Sequence, residues 1–199
     1  MSCSTNGLKS NLLTIIKHIK TITRIDSIGI RLKDGFGDFP YYVYDGFSDD
    51  FIKLENSLCS RNEQGGIIYI NNVPVLDCVC GAVVKGEIDN TQSYFTKRGS
   101  FWTNSTTELL SRGIVCHGKL RGTCNTHGYE TVVLVPIRVS NNIIGLIQLN
   151  NKEPKNYTKN YIEYLEILVD LIGLSIYNYF LCDQLDRINS ELQDLKKMI

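Results

Sequence analysis

The chain has 199 residues, of which 43% are hydrophobic and 21% are charged. This balance is typical of a globular domain with a sizeable core, and it excludes an intrinsically disordered chain. Lys plus Arg and Asp plus Glu each number 21, so the formal net charge is zero. A general electrostatic attraction to nucleic acid or to anionic lipid is therefore not indicated.

Residues 1–7 are polar and lack the basic and apolar regions of a secretory signal peptide. The sequence contains no run of 18 apolar residues, which predicts that no segment spans a membrane. We therefore expect a cytoplasmic protein, in which thiols stay reduced. The chain has seven cysteines, and an odd number fits poorly with a closed disulfide framework.

The first quarter of the chain predicts a helix, a hairpin and a second helix. Apolar residues recur at helical spacing over residues 8–22, and apolar and polar residues alternate over 26–33, as in a half-buried strand. A glycine-rich turn at 34–38 leads into an aromatic and β-branched strand at 39–44. Ser48 with the acids that follow it predicts the start of a helix that runs to about residue 58.

The middle of the chain predicts shorter elements. We expect a short strand at 67–70, a short helix at 78–85 that Gly86 closes, a strand at 100–104 and a helical turn at 106–110. The polar, glycine-rich stretch that follows, residues 112–128, predicts a long loop. Long loops in compact domains tend to be functional or mobile.

The clearest strands are predicted at residues 130–139 and 142–150, which form a hairpin around Ser140 and Asn141. From residue 158 a single helical pattern runs to the end of the sequence. This helix carries a heptad seam, and a polar residue at one a position fixes the register of such a seam. We expect its first part, residues 160–178, to pack on the sheet. The seam predicts a parallel homodimer, and its residues are Leu171, Leu174, Asn178, Leu181, Leu185, Ile188, Leu192 and Leu195.

Five of the seven cysteines fall in the middle of the chain, and they are Cys59, Cys78, Cys80, Cys116 and Cys124. Thiolates are soft ligands that select zinc, copper(I) or iron–sulfur clusters. Cys78 and Cys80 would diverge by roughly 200° around a helix axis, so both can face one metal only where the segment is irregular or begins a helix. A multi-iron cluster tolerates this spacing better than a single tetrahedral ion. The preferred ligands are Cys59, Cys78, Cys80 and Cys124, with Cys116 as a fifth candidate.

Two other interpretations of the thiols stay open, a reversible disulfide switch and a set of buried apolar cysteines. His117 and His127 follow Cys116 and Cys124 closely, and each is an alternative ligand or an exposed loop histidine. Haem would need one of these two histidines as its axial ligand. No role is assigned to Cys3 and Cys182.

Several tracts of the sequence resemble a GAF domain. Residues 128–138 and 143–150 are similar to the last hairpin of that family. Residues 100–110, which begin Ser-Phe-Trp-Thr-Asn, and residues 121–125 resemble the GAF domains of some PAS/GAF sensor histidine kinases. The resemblance covers about residues 10–180.

The resemblance implies an α+β fold, in which a six-stranded antiparallel sheet lies between helices. It implies a sensor domain over residues 1–180, which a coiled-coil helix extends over 181–199. The terminal helices would cover one face of the sheet, and a ligand pocket with the five cysteines would lie on the other. We expect Trp102 and Tyr129 at this pocket. The implied partner is a second copy of the chain, with a histidine kinase or another output module.

The resemblance also limits the function. Tyr161 and Ile162 stand where cyclic-nucleotide GAF domains carry an acidic pair, which weakens a cyclic-nucleotide interpretation. The sequence has no phosphate-binding glycine loop and no Gly-x-Ser-x-Gly nucleophile motif, so we do not expect an enzyme. The hypothesis is a sensor that binds an iron–sulfur cluster or zinc and reports redox, oxygen or metal state. The alternatives are a module for a small organic ligand and a GAF-type methionine sulfoxide reductase.

Overall fold

The computed structural model describes residues 5–89, 91–113 and 119–198. These residues form an α+β fold in which an antiparallel sheet lies between two layers of helices. The helices are α1 (Thr5–Thr23), α2 (Asp49–Glu55), α3 (Cys78–Lys85), α4 (Thr106–Ser111), α5 (Thr123–Thr126) and α6 (Lys159–Met198). The strands are β1 (Ser27–Leu32), β2 (Tyr41–Asp45), β3 (Tyr69–Ile70), β4 (Val73–Pro74), β5 (Phe101–Thr103), β6 (Thr131–Val139) and β7 (Asn142–Asn151).

The main sheet has five strands in the order β2-β1-β7-β6-β5, and each neighbouring pair is antiparallel. The resemblance implied six strands, so this count is corrected for the described residues. The remaining strands, β3 and β4, have two residues each and pair only with one another. They are too short to extend the sheet and form a separate ribbon beside it.

The predicted hairpin of β6 and β7 forms the centre of the sheet. Ser140 in its turn has φ of 54°, the left-handed conformation that a tight hairpin turn requires. Pro136 lacks an N–H, and β5 pairs with β6 only from Val132 to Leu134. Pro136 therefore faces no strand on that side, and its missing donor leaves no sheet hydrogen bond unmade.

Alternating side chains of the strands pack into two separate hydrophobic cores. The terminal-helix core joins α1 and α6 to one face of the sheet and contains Val133 and Val135 of β6. The cavity core joins α2 and α3 to the other face and contains Val132 and Leu134 of the same strand. Since side chains alternate along a strand, β6 contacts both layers and connects them mechanically.

Helix α6 is 40 residues long and is apolar enough to cross a membrane by length and composition alone. One third of its most apolar stretch is buried inside the folded chain. There Ile162, Val169 and Ile176 pack in the terminal-helix core, and the buried Glu166 accepts hydrogen bonds from other parts of the domain. We interpret α6 as a core helix whose other face is left exposed.

The close approach of α6 to β6 depends on Gly173. A Cβ atom at this position would lie 2.6 Å from the carbonyl oxygen of Arg138. Gly173→Leu should therefore lower the free energy of unfolding by about 2 kcal/mol, because the helix must move off the strand. Urea denaturation measures this, with Ser175→Ala on the exposed side of the same helix as the control. Equal losses for both variants would contradict this packing.

Candidate functional site

A cavity of about 60 Å³ lies in the cavity core, between the sheet, α3 and α5. Most of its wall is apolar and includes Phe101, Leu109 and Leu134. Three thiols and one carboxylate also line it, those of Cys78, Cys80, Cys124 and Glu55. The structure thus brings together cysteines that are 44 to 46 residues apart in the sequence.

Cys78 and Cys80 both reach the cavity because α3 begins irregularly. Cys78 has φ of +64°, a left-handed conformation that costs a residue with a side chain about 1 kcal/mol or more. Its N–H donates to the carbonyl of Lys119 at 2.9 Å, which holds the strained residue in place. From the sequence, both thiols could share a site only at an irregular segment or at the start of a helix. Cys78 is the first residue of α3, and its left-handed backbone is irregular.

Cys124 lies in the short helix α5, which follows Gly122 at φ of +70°. Its Sγ accepts hydrogen bonds from Asn150 Nδ2 at 3.5 Å and from Gln148 Nε2 at 3.8 Å. Both amides are almost completely buried on β7, and Tyr41 Oη donates to Gln148 Oε1 at 2.7 Å, which orients that amide. Two N–H donors directed at one sulfur favour its thiolate form.

Glu55 ends helix α2 and is only 5% exposed. Its Oε2 lies 3.8 Å from Arg121 Nη1, whereas its Oε1 has no hydrogen-bond partner among the described residues. A buried carboxylate that is only partly satisfied is costly, since most buried polar atoms are hydrogen-bonded. This oxygen is therefore the atom of the cavity with the clearest need for a partner.

A second buried charge lies beside the cavity, on Arg31. This residue is fully buried, and its guanidinium donates to the carbonyls of Phe39, Asn56 and Glu55. It also lies 3.6 Å from the centre of the Tyr41 ring, a cation–π contact. Its charge is thus held by carbonyls and an aromatic face, and its field favours negative charge on the nearby sulfur atoms of Cys80 and Cys124.

Burial has the opposite and larger effect on these thiols. It raises the pKa of Cys78 and of Cys80, and together with the nearby Cys78 and Glu55 it raises the pKa of Cys124 to about 12. All three thiols are therefore protonated near neutral pH. A nucleophilic or easily oxidised cysteine needs a lowered pKa, so these are buried thiols of low reactivity.

This protonation predicts slow alkylation of the cavity thiols. At pH 8, iodoacetamide should modify Cys124 at least about 100-fold more slowly than Cys182, which is exposed on α6. Peptide mass spectrometry of time points from the native protein measures both rates in one sample. Denaturation should remove the difference, and equal rates in the native state would contradict the burial of Cys124.

The other predicted metal ligands are placed differently. Cys59 is buried but does not line the cavity, and burial with the nearby Asp38 raises its pKa to about 11. Cys116 and His117 lie outside the described residues. The ring of His127 packs on Phe51, and its Nδ1 donates to the carbonyl of Thr123 at 3.0 Å. Cys78, Cys80 and Cys124 are the predicted ligands that the structure brings together.

Both aromatic residues predicted at the pocket lie elsewhere. Trp102 packs on the terminal-helix core, and its neighbour Phe101 lines the cavity instead, because adjacent side chains of β5 point to opposite faces. Tyr129 is buried against Phe47 and Phe51, and its hydroxyl is 2.9 Å from Ser27 Oγ. It supports the cavity core without reaching the cavity.

Within the described part of the chain, no group of three or more His, Cys, Asp or Glu side chains is placed so that it could hold a metal ion. The polar residues around the thiols were not identified from the sequence, and they are Arg31, Glu55, Asp77, Arg121, Gln148 and Asn150. A signal existed for two of them. Gln148 and Asn150 alternate with apolar residues on the clearest strand of the chain, which places two amides on its inner face.

Comparison with known proteins identifies the fold. The GAF domain model matches residues 14–176. The chain belongs to the GAF domain family. No curated protein matches it significantly. The GAF fold is confirmed, and the match covers most of the region predicted from the sequence.

Solved structures with this GAF fold come from proteins of different function. A domain assigned to a two-component sensor histidine kinase of Sinorhizobium meliloti matches with a TM-score of 0.56 and 11% identity, over 88% of this chain and 92% of that one. The type II free methionine-R-sulfoxide reductase of Thermoplasma acidophilum matches with a TM-score of 0.57 and 11% identity, over 87% of this chain and 95% of that one. The Neisseria meningitidis free methionine-R-sulfoxide reductase, solved with its substrate, matches with a TM-score of 0.55 and 14% identity, over 90% of this chain and 81% of that one. At these identities the likeness shows the fold alone.

Proposed function

We propose that this chain is a sensory GAF module that binds one soft metal ion through Cys78, Cys80 and Cys124. The observation that carries the proposal is the convergence of these three thiols on one cavity beside a buried carboxylate. Thiolates prefer zinc, copper(I) and iron–sulfur clusters. The thiols must be reduced to bind, so we also propose the cytoplasm as the place where the module works.

The size of the cavity supports a single ion over the other candidates. Its accessible volume of about 60 Å³ is several times the roughly 10–15 Å³ that a cavity needs to hold one water molecule. Pockets for small organic ligands are about 300–1,000 Å³. An iron–sulfur cluster needs space for several iron and sulfide atoms, so zinc fits better than the cluster that the sequence favoured.

We propose that the site acts on α6 by two routes. Val132 and Leu134 line the cavity, and the residues between and beyond them on β6 pack under α6. The second route runs around the β5 edge of the sheet, where Ser100 precedes the cavity residue Phe101. Thr96 and Ser100 donate to Glu166 Oε1 of α6 at 2.5 and 2.6 Å. A shift of α3 or β5 would therefore move contacts of the helix.

The partner in this proposal is a second copy of the chain, joined along the heptad seam of α6. The output would pass to a histidine kinase or another signalling module. The support is the exposure of the seam residues, of which Leu185 is 59% and Leu195 is 58% exposed in the single chain. A row of exposed leucines on one helix face is typical of an interface.

Metal analysis of the anaerobically purified protein tests the proposal. We expect about one equivalent of a thiophilic metal per chain, which the triple variant Cys78→Ser, Cys80→Ser, Cys124→Ser should lose. A wild-type chain that neither retains metal nor takes up zinc after reduction would contradict the proposal. Several iron atoms with equimolar sulfide would instead support the iron–sulfur hypothesis.

A second candidate function is the reduction of free methionine sulfoxide. It is favoured by the fold shared with the two reductases and by three thiols at one cavity. Two thiols would supply two electrons and two protons, giving the sulfide, water and a disulfide. The raised pKa of Cys124 opposes this function, because the attacking group is a thiolate. A thioredoxin-coupled assay tests it, and turnover lost in Cys124→Ser would establish the enzyme.

A further inference from the structure

The turn that precedes β5, residues 96–100, is bonded to α6 through one carboxylate. Thr96 and Ser100 lie at its two ends, and their hydroxyls donate to Glu166 Oε1 at 2.5 and 2.6 Å. The N–H of Ser100 also donates to Thr96 Oγ1 at 3.0 Å, so the same hydroxyl closes the turn and bonds it to the helix. The position of this turn, which we call the β5 turn, therefore depends on the side chain of Glu166.

Glu166 uses only one of its two carboxylate oxygens. The residue is 3% exposed, and Oε2 has no hydrogen-bond partner among the described residues. Buried polar atoms are hydrogen-bonded in most structures, so an unpaired carboxylate oxygen inside a protein needs an explanation. A donor that reaches Oε2 in another conformation would provide one.

Arg138 is a donor that lies close to this carboxylate. A Cβ atom on Gly173 of α6 would lie 2.6 Å from the carbonyl oxygen of Arg138, so the backbone of Arg138 contacts the helix. A Cβ atom on Gly99 of the β5 turn would lie 3.3 Å from Arg138 Nη2. The side chain therefore extends from α6 to the β5 turn, beside Ser100. Its half-buried guanidinium forms no hydrogen bond or ion pair with any other residue that the structure describes.

The charges around Arg138 favour a second ion pair. Arg98 Nη2 donates to both oxygens of Asp170, at 2.9 and 2.8 Å, one helical turn after Glu166 on α6. Burial and then the charge of Arg98 lower the pKa of Arg138. The carboxylates of Glu166 and Asp170 act in the opposite direction and raise that pKa, so both acids are near the guanidinium. Two arginines and two carboxylates thus lie together, but only Arg98 and Asp170 are paired.

We propose that Arg138 is the alternate partner of Glu166 and stabilises a second position of the β5 turn. In this second state the two hydroxyls release the carboxylate, and the guanidinium of Arg138 binds it in their place. Exchange of two hydroxyl donors for one charge-assisted pair gives two discrete arrangements, as a two-state conformational change requires. Because β5 carries the cavity residue Phe101, an occupant of the cavity that displaces β5 would shift the balance between the states. In that last step the inference rests on the proposed function, whereas the exchange itself needs no bound metal ion.

Hydrogen exchange at the Ser100 amide of the reduced, metal-free full chain, measured by NMR, tests this proposal. That amide is buried and bonded within the β5 turn, so it exchanges when the turn leaves α6. Arg138→Met should slow its exchange by about 10-fold, because methionine keeps an apolar stem but cannot pair with Glu166 in the second state. If Arg138 merely packed against the turn, its loss would loosen the turn and speed the exchange. The matched control, Arg187→Met on the exposed part of α6, should change the rate by less than about twofold.

A crystal structure of the double variant Thr96→Val, Ser100→Ala gives a second measurement. Both hydroxyl donors to Glu166 are then absent, and we expect the guanidinium of Arg138 within about 3 Å of the carboxylate. The exchange measurement decides alone if this variant does not fold. A carboxylate that stays unpaired in the folded double variant, or exchange at Ser100 that is unchanged or faster in Arg138→Met, would overturn the proposal. Both measurements use the metal-free chain, so a failure to bind metal would contradict the proposed function and leave these results unaffected.

Discussion

Replacing Cys124 by serine should weaken zinc binding by roughly 100- to 1,000-fold. Structural zinc sites bind with about 10–16 kcal/mol, so each of four ligands contributes about 3–4 kcal/mol, and about 1.4 kcal/mol is a factor of ten in affinity. The Sγ atom of Cys124 also accepts hydrogen bonds from two buried amides. These amides are positioned for a sulfur atom, and the hydroxyl of serine would take its place. A chelator competition titration at pH 7.5 measures the loss.

Cys182→Ser is the control for Cys124→Ser, because Cys182 is exposed on α6 and far in sequence from the cavity residues. It should bind zinc as the wild type does. Thermal unfolding of both zinc-free variants shows whether the fold is intact. Unchanged affinity in a folded Cys124→Ser variant would remove Cys124 from the site and leave only the two thiols of α3.

The second large effect is expected at the heptad seam. Leu185→Glu should convert the proposed dimer into a monomer, because two carboxylates would face each other in an otherwise apolar seam. Leu185, Ile188 and Leu192 are each at least half exposed in the single chain, so the seam has free surface to bury. Sedimentation velocity at micromolar concentration measures the change.

Ser190→Glu is the control for the seam, since Ser190 is exposed on the opposite side of the same helix and lies two positions after Ile188 in the heptad. It adds the same charge and should leave the dimer intact. A wild-type chain that sediments as a monomer would disprove dimerisation. A Leu185→Glu variant that remains dimeric would place the interface elsewhere on the protein.

The sequence predicts regular elements where one local signal dominates. Helix α3 was expected at residues 78–85 with Gly86 closing it, and Gly86 does end the helix with φ of 71°. The hairpin of β6 and β7 followed from two alternating strands around a two-residue turn. The pair β3 and β4 and the helix α5 have only two to four residues each, too few to show a period.

The composition of the site depends on tertiary contacts, which spacing does not reveal. Cys59 was grouped with the other thiols because it is a nearby cysteine, but it lies beside Asp38 and does not line the cavity. Glu55 ends a short acidic helix and looks like a solvated residue in the sequence, yet packing buries it. The choice between Phe101 and Trp102 depended on which face of β5 meets α3, a fact set by the whole sheet.

The central claim is that Cys78, Cys80 and Cys124 together bind one metal ion. The most direct measurement is a zinc titration of the reduced chain with a pH indicator that counts released protons. Burial raises the pKa of each thiol, so all three hold protons at neutral pH and must release them on binding. We predict one zinc ion per chain, up to three protons released and tighter binding as the pH rises from 6 to 8. Absence of saturable binding, or an identical titration of the variant with all three cysteines replaced by serine, would contradict the claim.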